Sequence, residues 1–276
     1  MARMINCDGS WVEVDLRVVR DNVAAIRAAL GPTQLMAVIK SDAYGHGLTP
    51  LAAALAGCGV RHFAVAYVAE AEAVRAVAPN AEMIVVLGAT WPADVPRLLR
   101  SRITPAVVSQ AHGEALAAAA VAAGGELPVH LKLDTGMGRL GFICPDELPT
   151  AAALTQLPGL SVQGVCTHFA MVEPERKPTA ARNQVEKFKQ AVPMLEAAVG
   201  RRLYRHMSSS RAALLLPECD HDAVRIGIAL YGYSASEAGR RFQTRPILSW
   251  KSRVMQVKRV PAGFPVGYYS SYRTSA

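Results

Sequence analysis

The alternation of short apolar segments with amphipathic ones along most of the chain constrains the fold most strongly. The segments between the apolar ones carry apolar residues at steps of three and four, which is typical of helices with one buried face. Near-continuous apolar strands that alternate with helices indicate a parallel sheet. The predicted strands are Met36–Lys40, His62–Tyr67, Met83–Leu87, Ala106–Ser109, Val129–Asp134, Leu160–His168, Leu203–Ser208 and Val224–Tyr231. Eight alternations in 276 residues predict an α/β fold, a (β/α)8 TIM barrel, which takes roughly 250 residues.

Helix signals lie between these strands. Apolar residues recur at helical spacing from Val19 to Leu30, and Gln184–Leu195 is a second amphipathic series. Thr49 followed by Pro50 is typical of an N-cap and first helical residue, so we expect the second helix to open there.

Two regions fall outside the alternation, one near each end. Trp11–Leu16 alternates like a strand before the first helix, whereas Pro246–Val260 and Tyr268–Thr274 have the character of strands and turns without helices. We therefore expect a barrel domain over residues 11–235. Residues 236–276 would begin a C-terminal β domain that the chain does not complete.

Composition excludes several classes of function. The net charge is +8, but the basic residues are dispersed rather than gathered in a patch with aromatics, which argues against nucleic-acid binding. The longest apolar run, Ala115–Ala123, is too short to span a bilayer, and the N-terminus lacks an apolar stretch of signal-peptide length. The five cysteines form no close pair and have no metal-ligand spacing, so we expect the reducing cytoplasm and no metal site.

The segment AVIKSDAYGHG, Ala37 to Gly47, places Lys40 at the end of a buried strand. A buried cation is costly there, and barrel active sites lie at the carboxyl ends of strands. A partly desolvated lysine has a lowered pKa and can form a Schiff base. The alternative is a rim lysine whose amine reaches solvent.

The segment HLKLDTGMGRLGF, His130 to Phe142, carries two basic groups around a Gly-Met-Gly turn. Lys132 and Asp134 face the same side of their strand because they are two residues apart. Arg139 follows the turn. The alternative to a functional role is an ordinary Lys–Asp pair at the barrel rim.

Polar residues also end the last three predicted strands. His168 lies in the string CTHFA, although a lone histidine is more often structural than catalytic. Ser209 and Ser210 follow strand seven, and Gly227 and Ile228 lie on strand eight. Barrels often bind phosphate at these loops, and serine hydroxyls and an open glycine backbone are suitable donors. Ordinary turn chemistry explains the same residues equally well.

These strings, from Val12 to about Thr274, resemble the alanine racemase family in order and spacing. The resemblance implies a pyridoxal 5'-phosphate enzyme of the cytoplasm, a homodimer that interconverts L- and D-alanine and supplies D-alanine for peptidoglycan. It implies that Lys40 bears the cofactor covalently. The cofactor contacts it implies are Lys40, Tyr44, Arg139, His168, Ser209, Ser210, Arg225, Gly227 and Ile228.

Individual roles also come from the resemblance. Lys132 would be carbamylated and would orient Arg139, which approaches the cofactor's phenolic oxygen and the substrate carboxylate. Arg225 would face the pyridine nitrogen, which stays unprotonated because arginine does not give up a proton. His168 would lie beside the cofactor ring without carrying a proton. Ser209 departs from the asparagine of some members.

The segment PVGYYSSYRT resembles the family's second-base segment, and Tyr268 is its base. Racemisation removes a proton on one face of the α-carbon and delivers one on the other, so the resemblance implies Lys40 on one face and Tyr268, from the partner subunit, on the other. A strand tyrosine that packs at a domain junction is the alternative. Tyr269 replaces the glycine that commonly follows this tyrosine.

Two other functions remain open from the sequence. Intact family members continue beyond the point at which this chain ends, which favours a truncated cofactor-binding protein without turnover. A related barrel enzyme that acts on serine or another amino acid is the second alternative.

Overall fold

The computed structural model describes residues 9–172, 178–233 and 241–275. The strands, in chain order, are β1 (Ser10–Val14), β2 (Gln34–Val38), β3 (His62–Val65), β4 (Met83–Val86), β5 (Thr104–Val107), β6 (Leu127–Asp134), β7 (Phe142–Ile143), β8 (Leu160–Cys166), β9 (Tyr204–His206), β10 (Ala223–Ile226), β11 (Leu248–Ser252), β12 (Pro265–Val266) and β13 (Tyr272–Arg273). The helices are α1 (Leu16–Leu30), α2 (Lys40–Gly45), α3 (Leu48–Gly57), α4 (Val68–Val77), α5 (Val95–Ser101), α6 (Gln110–Ala122), α7 (Leu148–Ala153), α8 (Pro178–Val199) and α9 (Ser210–Leu215). The described residues divide into two compact units, one within residues 14–248 and the other formed by residues 9–13 with 249–275.

Within the described residues of the first unit, eight parallel strands form a barrel wall in the order β10-β2-β3-β4-β5-β6-β8-β9. The short strand β7 pairs with β6 outside this series. β9 and β10 approach each other through a 3.0 Å hydrogen bond from the Arg225 amide to the Ser208 carbonyl and a parallel bridge between Ser209 and Arg225. The barrel is therefore nearly closed, and the predicted parallel (β/α)8 fold is confirmed.

The first helix packs on the barrel through the predicted apolar face. The buried positions of this face are Val19, Val23, Ile26 and Leu30. The Asp15 carboxylate accepts the Arg17 amide at 2.8 Å and caps α1, so β1 ends at Val14 and the prediction of a strand up to Leu16 is wrong at its end. The predicted helix Gln184–Leu195 lies inside α8 and is confirmed.

All eight predicted barrel strands are present, but most end earlier than predicted. The largest difference is at Val224–Tyr231, where the strand ends at Ile226 and Ile228–Tyr231 form a 3-10 helix instead. Ala229, Leu230 and Tyr231 in this helix remain buried. The hydrophobic pattern therefore continues past the last strand hydrogen bond, and it cannot by itself mark the end of a strand.

The predicted start of the second helix is wrong. The helix α3 begins at Leu48, and its N-cap is Gly47 rather than Thr49. The Asp42 carboxylate accepts the Leu48 amide at 2.7 Å, so a side chain from the preceding turn satisfies the first helical amide. Gly47 has a φ of 91°, a conformation that favours glycine.

In the second unit, β1 pairs with β11, and β12 pairs antiparallel with β13. Only β11 forms within the predicted strand region Pro246–Val260. Tyr268–Ser270 form a 3-10 helix before β13, so the predicted strand Tyr268–Thr274 is wrong in its first half. Tyr269 has a φ of 61°, in the left-handed region that interrupts a strand and that glycine adopts without strain.

The predicted domain boundary between residues 235 and 236 lies outside the described residues, so that division stays a prediction. Four cysteines, Cys58, Cys144, Cys166 and Cys219, are free thiols, and Cys7 also lies outside the described part. Among the described helices, none combines the length and the apolar character that crossing a membrane requires.

Candidate active site

A cavity of about 390 Å³ lies at the carboxyl ends of the barrel strands, a size typical of small-molecule sites. Ten of the predicted site residues line it: Lys40, Tyr44, Lys132, Arg139, His168, Ser209, Ser210, Arg225, Gly227 and Ile228. Tyr268 does not line this cavity; it belongs to the second unit, and its side chain is 90% exposed.

Six lining residues are absent from the sequence prediction: Val38, Ala66, Leu87, Gly88, Leu140 and Arg211. Val38 ends β2, Ala66 follows β3, and Leu87 and Gly88 follow β4. Their position within or just after the last residues of predicted strands was the available signal, because the carboxyl ends of barrel strands and the loops after them build the site. Small apolar side chains give no chemical signal of their own.

The lining of the cavity is strongly cationic. Its charged side chains are Lys40, Lys132, Arg139, Arg211 and Arg225, and no acidic side chain occurs among the described residues that line it. A concave surface that carries charge of one sign concentrates ions of the opposite sign. The cavity is therefore suited to an anionic ligand.

Lys40 follows β2 almost directly and begins a left-handed turn. The four residues from Ser41 to Tyr44 have φ values of 53° to 56°, and none of them is glycine. A left-handed conformation costs about 1–2 kcal/mol for each such residue, and it persists only where the surroundings hold it. The sequence motif predicts a turn here but not its left-handed form. The turn places Lys40 and Tyr44 on the wall of one cavity.

Two carboxylates hold this turn by accepting hydrogen bonds from backbone amides. Glu70 accepts the Ser41 amide at 2.6 Å through one oxygen and the Ala66 amide at 2.9 Å through the other. Asp42 ties the end of the turn to α3 through the Leu48 amide. Glu70 was not predicted to support the site, since it is distant from Lys40 in sequence.

Asp134 organises the loop that carries Arg139. Its carboxylate accepts four backbone amides at 2.8 to 3.1 Å, those of Gly136, Met137, Gly138 and Arg139. Burial raises the pKa of Asp134, but these hydrogen bonds outweigh burial and lower the pKa overall. Asp134 forms no ion pair with Lys132 in the described part of the chain, so the alternative of an ordinary rim pair is wrong.

Lys132 is a buried lysine, only 6% exposed, in a cationic environment. Burial lowers its pKa, and Arg225 and Arg139 lower it further, against opposing effects of Cys166 and Asp134. Its amine forms no hydrogen bond or ion pair with any residue that the structure describes. Buried cations are normally paired, so this lysine is an exception that needs a chemical reason.

Arg225 is buried and makes five hydrogen bonds. Nη1 donates to Nδ1 of His206 at 2.9 Å and to the carbonyl of the same residue at 2.7 Å. Nη2 donates to the carbonyls of Thr167 and Met207, at 2.7 and 3.0 Å. It also donates to Nδ1 of His168 at 3.1 Å. Burial, together with the charge of Arg225, lowers the pKa of His168 to about 3. His168 is therefore a neutral hydrogen-bond acceptor at neutral pH.

The loops after the last two barrel strands form a polar pocket wall. The Ser210 hydroxyl accepts the Gly227 amide at 3.0 Å, and the Ser209 hydroxyl caps α9. A Cβ at Gly227 would lie 2.7 Å from the hydroxyl oxygen of Tyr44, so only glycine leaves space beside that hydroxyl. Hydroxyls, backbone amides and an open glycine beside a cationic cavity fit a phosphate group.

A nearly closed (β/α)8 barrel with a lysine at the cavity wall, and with hydroxyls and backbone amides that fit a phosphate group, has the features of barrel proteins that bind a phosphorylated ligand beside an amine. Comparisons with known proteins identify the family within that class.

The family model described as "Alanine racemase, N-terminal domain" matches residues 14–235. The chain is 39% identical to the alanine racemase of Desulfosudis oleivorans over 282 residues, covering 98% of this chain and 72% of that relative. The solved alanine racemase of D-cycloserine-producing Streptomyces lavendulae has a TM-score of 0.88 at 34% identity, covering 98% of this chain and 72% of that one. The alanine racemase of Bartonella henselae with covalently bound pyridoxal phosphate has a TM-score of 0.80 at 26% identity, covering 97% of this chain and 73% of that one. The chain belongs to the alanine racemase family, as the sequence motifs predict.

Proposed function

We propose that the protein is an alanine racemase that interconverts L-alanine and D-alanine with pyridoxal 5'-phosphate as its cofactor. The observation that carries this proposal is the cavity in which Lys40 stands with Arg139 and Arg225, without an acidic side chain among its described lining residues. The cofactor's phosphate and the substrate's carboxylate are anions, so this lining favours both. Membership of the family supports the same reaction.

The residues proposed to hold the cofactor surround the cavity. Lys40 would carry it covalently, and Tyr44, Ser209, Ser210, Gly227 and Ile228 would hold its phosphate. The space beside the Tyr44 hydroxyl that a Cβ at Gly227 would fill supports this end of the assignment. Arg225 and His168 would face the ring, and Arg225 would leave the ring nitrogen unprotonated because a guanidinium does not release a proton.

Bound to an amino acid, pyridoxal 5'-phosphate withdraws electrons from the Cα–H bond and makes the α-proton acidic. Inversion then requires two proton-transfer groups on opposite faces of Cα. The Lys40 amine would serve one face, and the Tyr268 hydroxyl of the partner subunit in a homodimer would serve the other. The 90% exposure of Tyr268 supports a role outside the packing of its own unit.

Arg139 is proposed to bind the substrate carboxylate, since its planar guanidinium can form two parallel hydrogen bonds with a carboxylate. Lys132 is proposed to be carbamylated and to hold Arg139. An unpaired buried amine beside Arg139 and Arg225 supports this modification, because a carbamate would place a negative charge between positive ones.

The proposed setting of the reaction is the cytoplasm, where D-alanine would be supplied for peptidoglycan. Four free thiols in the described residues agree with a reducing compartment.

The test is to mix the purified full chain with pyridoxal 5'-phosphate and L-alanine and to follow D-alanine by circular dichroism. We expect racemisation, and an absorbance band near the border of the visible and ultraviolet. Lys40→Ala should abolish the band and lower the rate at least about 10²–10⁴-fold. Lys189→Ala, at an exposed helical lysine, is the matched control and should change neither. A wild-type band without any D-alanine would contradict the proposed turnover, and faster inversion of L-serine would contradict the proposed substrate.

A further inference from the structure

Two buried histidines lie behind Arg225 inside the barrel. The Arg225 terminal nitrogen Nη1 lies 2.9 Å from Nδ1 of His206, and Nε2 of His206 lies 2.9 Å from Nδ1 of His130. Both imidazole rings are 0% exposed. The three side chains therefore form one hydrogen-bonded series from the cavity wall into the barrel interior.

The chemistry of arginine sets the direction of every hydrogen bond in this series. A guanidinium has only donors, so Nδ1 of His206 must accept and carry no proton. The neutral ring of His206 then carries its proton on Nε2 and donates it to Nδ1 of His130. His130, in turn, must carry its own proton on Nε2.

We propose that His206 and His130 are positioning residues for Arg225, forming a relay of neutral imidazoles with one fixed direction of hydrogen bonding that holds the guanidinium toward the cavity. The direction of the relay follows from the geometry alone. Its purpose, to present Arg225 to the ring of the cofactor, rests on the proposed function.

The hydrogen bonds of Arg225 show which of its donors remain available to a ligand. The two hydrogens on Nη1 go to the ring and the carbonyl of His206, and those on Nη2 go to Thr167, His168 and Met207. Within the described residues, Nε is the guanidinium nitrogen without a partner. Because both terminal nitrogens of Arg225 are engaged in hydrogen bonds, the plane of the guanidinium is fixed. The Nε–H is then the donor left for a ligand in the cavity that Arg225 lines.

Protonation of either ring would break the relay. An imidazolium at His206 would turn an N–H toward the donor Nη1 of Arg225 and place two cations in a buried site. Burial, with the charge of Arg225, lowers the pKa of His206 well below its ordinary value, and burial lowers that of His130 to about 3. Both effects favour the neutral series.

The relay ends at His130 and does not continue to the lower rim of the barrel. Nε2 of His130 is buried without a partner among the described residues, and a Cβ at Gly164 would lie 2.6 Å from it. The next polar pair, the Tyr204 hydroxyl with Nδ1 of His62 at 2.8 Å, is a separate hydrogen bond. An unpaired buried N–H is unfavourable, and its presence on Nε2 of His130 follows from the need of Nδ1 of that ring to accept from His206. The series orients Arg225 and does not conduct protons.

The first test reads the tautomers directly by nitrogen NMR of the full chain labelled at histidine, with and without pyridoxal 5'-phosphate. We expect His206 and His130 to be neutral and protonated on Nε2 in both samples, with signals assigned by their loss in His206→Asn and His130→Asn or, where a variant does not fold, by contacts between neighbouring nuclei. A proton on Nδ1, or an imidazolium, at either ring would overturn the relay. This result does not depend on turnover or cofactor binding, so the proposed function can fail separately.

The second test compares two amides at position 206 by titration with pyridoxal 5'-phosphate. The oxygen of Asn stands near the position of Nδ1 and can still accept from Arg225, whereas Gln reaches the position of Nε2 and leaves Arg225 without that acceptor. We expect affinity within about threefold of wild type for His206→Asn and at least about tenfold weaker for His206→Gln, since one hydrogen bond to a charged group is worth about 1.5–3 kcal/mol. The control His112→Asn alters a histidine whose Nε2 bonds the Thr90 carbonyl outside the relay, and it should leave affinity unchanged. Equal losses in both variants at position 206 would reject the positioning role.

Discussion

Lys132 has the least ordinary environment of the described side chains at the cavity. Lys132 is only 6% exposed as a residue and lies close enough to Arg139 and Arg225 for their charges to lower its pKa, so its amine gains little from remaining charged. Burial lowers the pKa of Lys132, which increases the neutral amine fraction at a given pH, and only a neutral amine can add to carbon dioxide. The environment that disfavours the ammonium therefore favours the proposed carbamate.

Lys132→Met tests this idea with a side chain of similar length that cannot be carbamylated. Incubation with carbon-13 bicarbonate should give a carbamate NMR signal in the wild type and none in the variant. Because Arg139 would lose its negative partner, we expect KM for alanine to rise about tenfold with a smaller change in kcat. Lys189→Met should retain the wild-type signal and kinetics. A wild-type spectrum without a carbamate signal would contradict the modification.

Some charged residues of the candidate site could be predicted from the sequence, because a charged side chain at the end of an apolar strand is unusual. Lys40 is predicted for that reason, whereas Lys132 and Arg225 are predicted from the resemblance of their motifs to the family, and the structure brings all three to one cavity. The structure adds the partners of these groups, such as the backbone carbonyls of Thr167, His206 and Met207 around Arg225. Those contacts join segments far apart in the chain, so no local pattern contains them.

At the scale of elements, the left-handed turn from Ser41 to Tyr44 depends on α4. Glu70 lies in the first turn of that helix, and its two oxygens join Ser41 on one side to Ala66 on the other. The strain of the turn is thus opposed by hydrogen bonds from a different element. This arrangement explains how four non-glycine residues keep a conformation that each of them disfavours.

Glu70→Ala should therefore loosen the segment that carries Lys40. We expect the free energy of unfolding to fall by about 1–3 kcal/mol, because the amides of Ser41, Ala66 and Tyr67 lose their acceptor, and the affinity for pyridoxal 5'-phosphate to fall about tenfold. Urea unfolding and absorbance titration measure the two effects. Glu72→Ala is the matched control on the same helix; its carboxylate pairs with Arg97 at the surface, so cofactor affinity should not change. An unaltered affinity in Glu70→Ala would show that the turn does not need this support.

The order and number of the barrel elements were predictable, whereas their ends were not. Apolar periodicity reports which face of a segment is buried, and it gave all eight barrel strands. It does not report where hydrogen bonding stops, as the 3-10 helix within the predicted strand Val224–Tyr231 shows. The start of α3 was also mispredicted, because a side chain of the preceding turn, Asp42, accepts the first helical amide in place of the predicted cap at Thr49.

At the scale of the whole molecule, burial of histidines couples the fold to pH. Burial is the first cause of the lowered pKa values of His62, His112, His130, His168, His206 and His221. Well above the ordinary histidine pKa of about 6.5, these rings are neutral in the folded and the unfolded chain alike. As the pH falls below that value, the unfolded chain binds protons that the folded barrel excludes. Acid must therefore favour unfolding.

His130→Asn removes one of the buried rings that bind a proton only when the chain unfolds. The pKa of His130 is about 3 in the fold and about 6.5 in the unfolded chain, so between these values the wild-type free energy of unfolding should fall by about 1.4 kcal/mol per pH unit on account of this ring. The variant should be less stable at neutral pH, because a buried ring is lost, yet its stability should decline less steeply toward acid by that amount. Urea unfolding at a series of pH values measures both slopes, and the carboxylates that also titrate contribute equally to each. Lys189→Gln, at an exposed lysine on the surface of α8, should reproduce the wild-type slope. If His130→Asn gave that same slope, the ring would have to be protonated inside the barrel, and the neutral interior derived from its burial would be wrong.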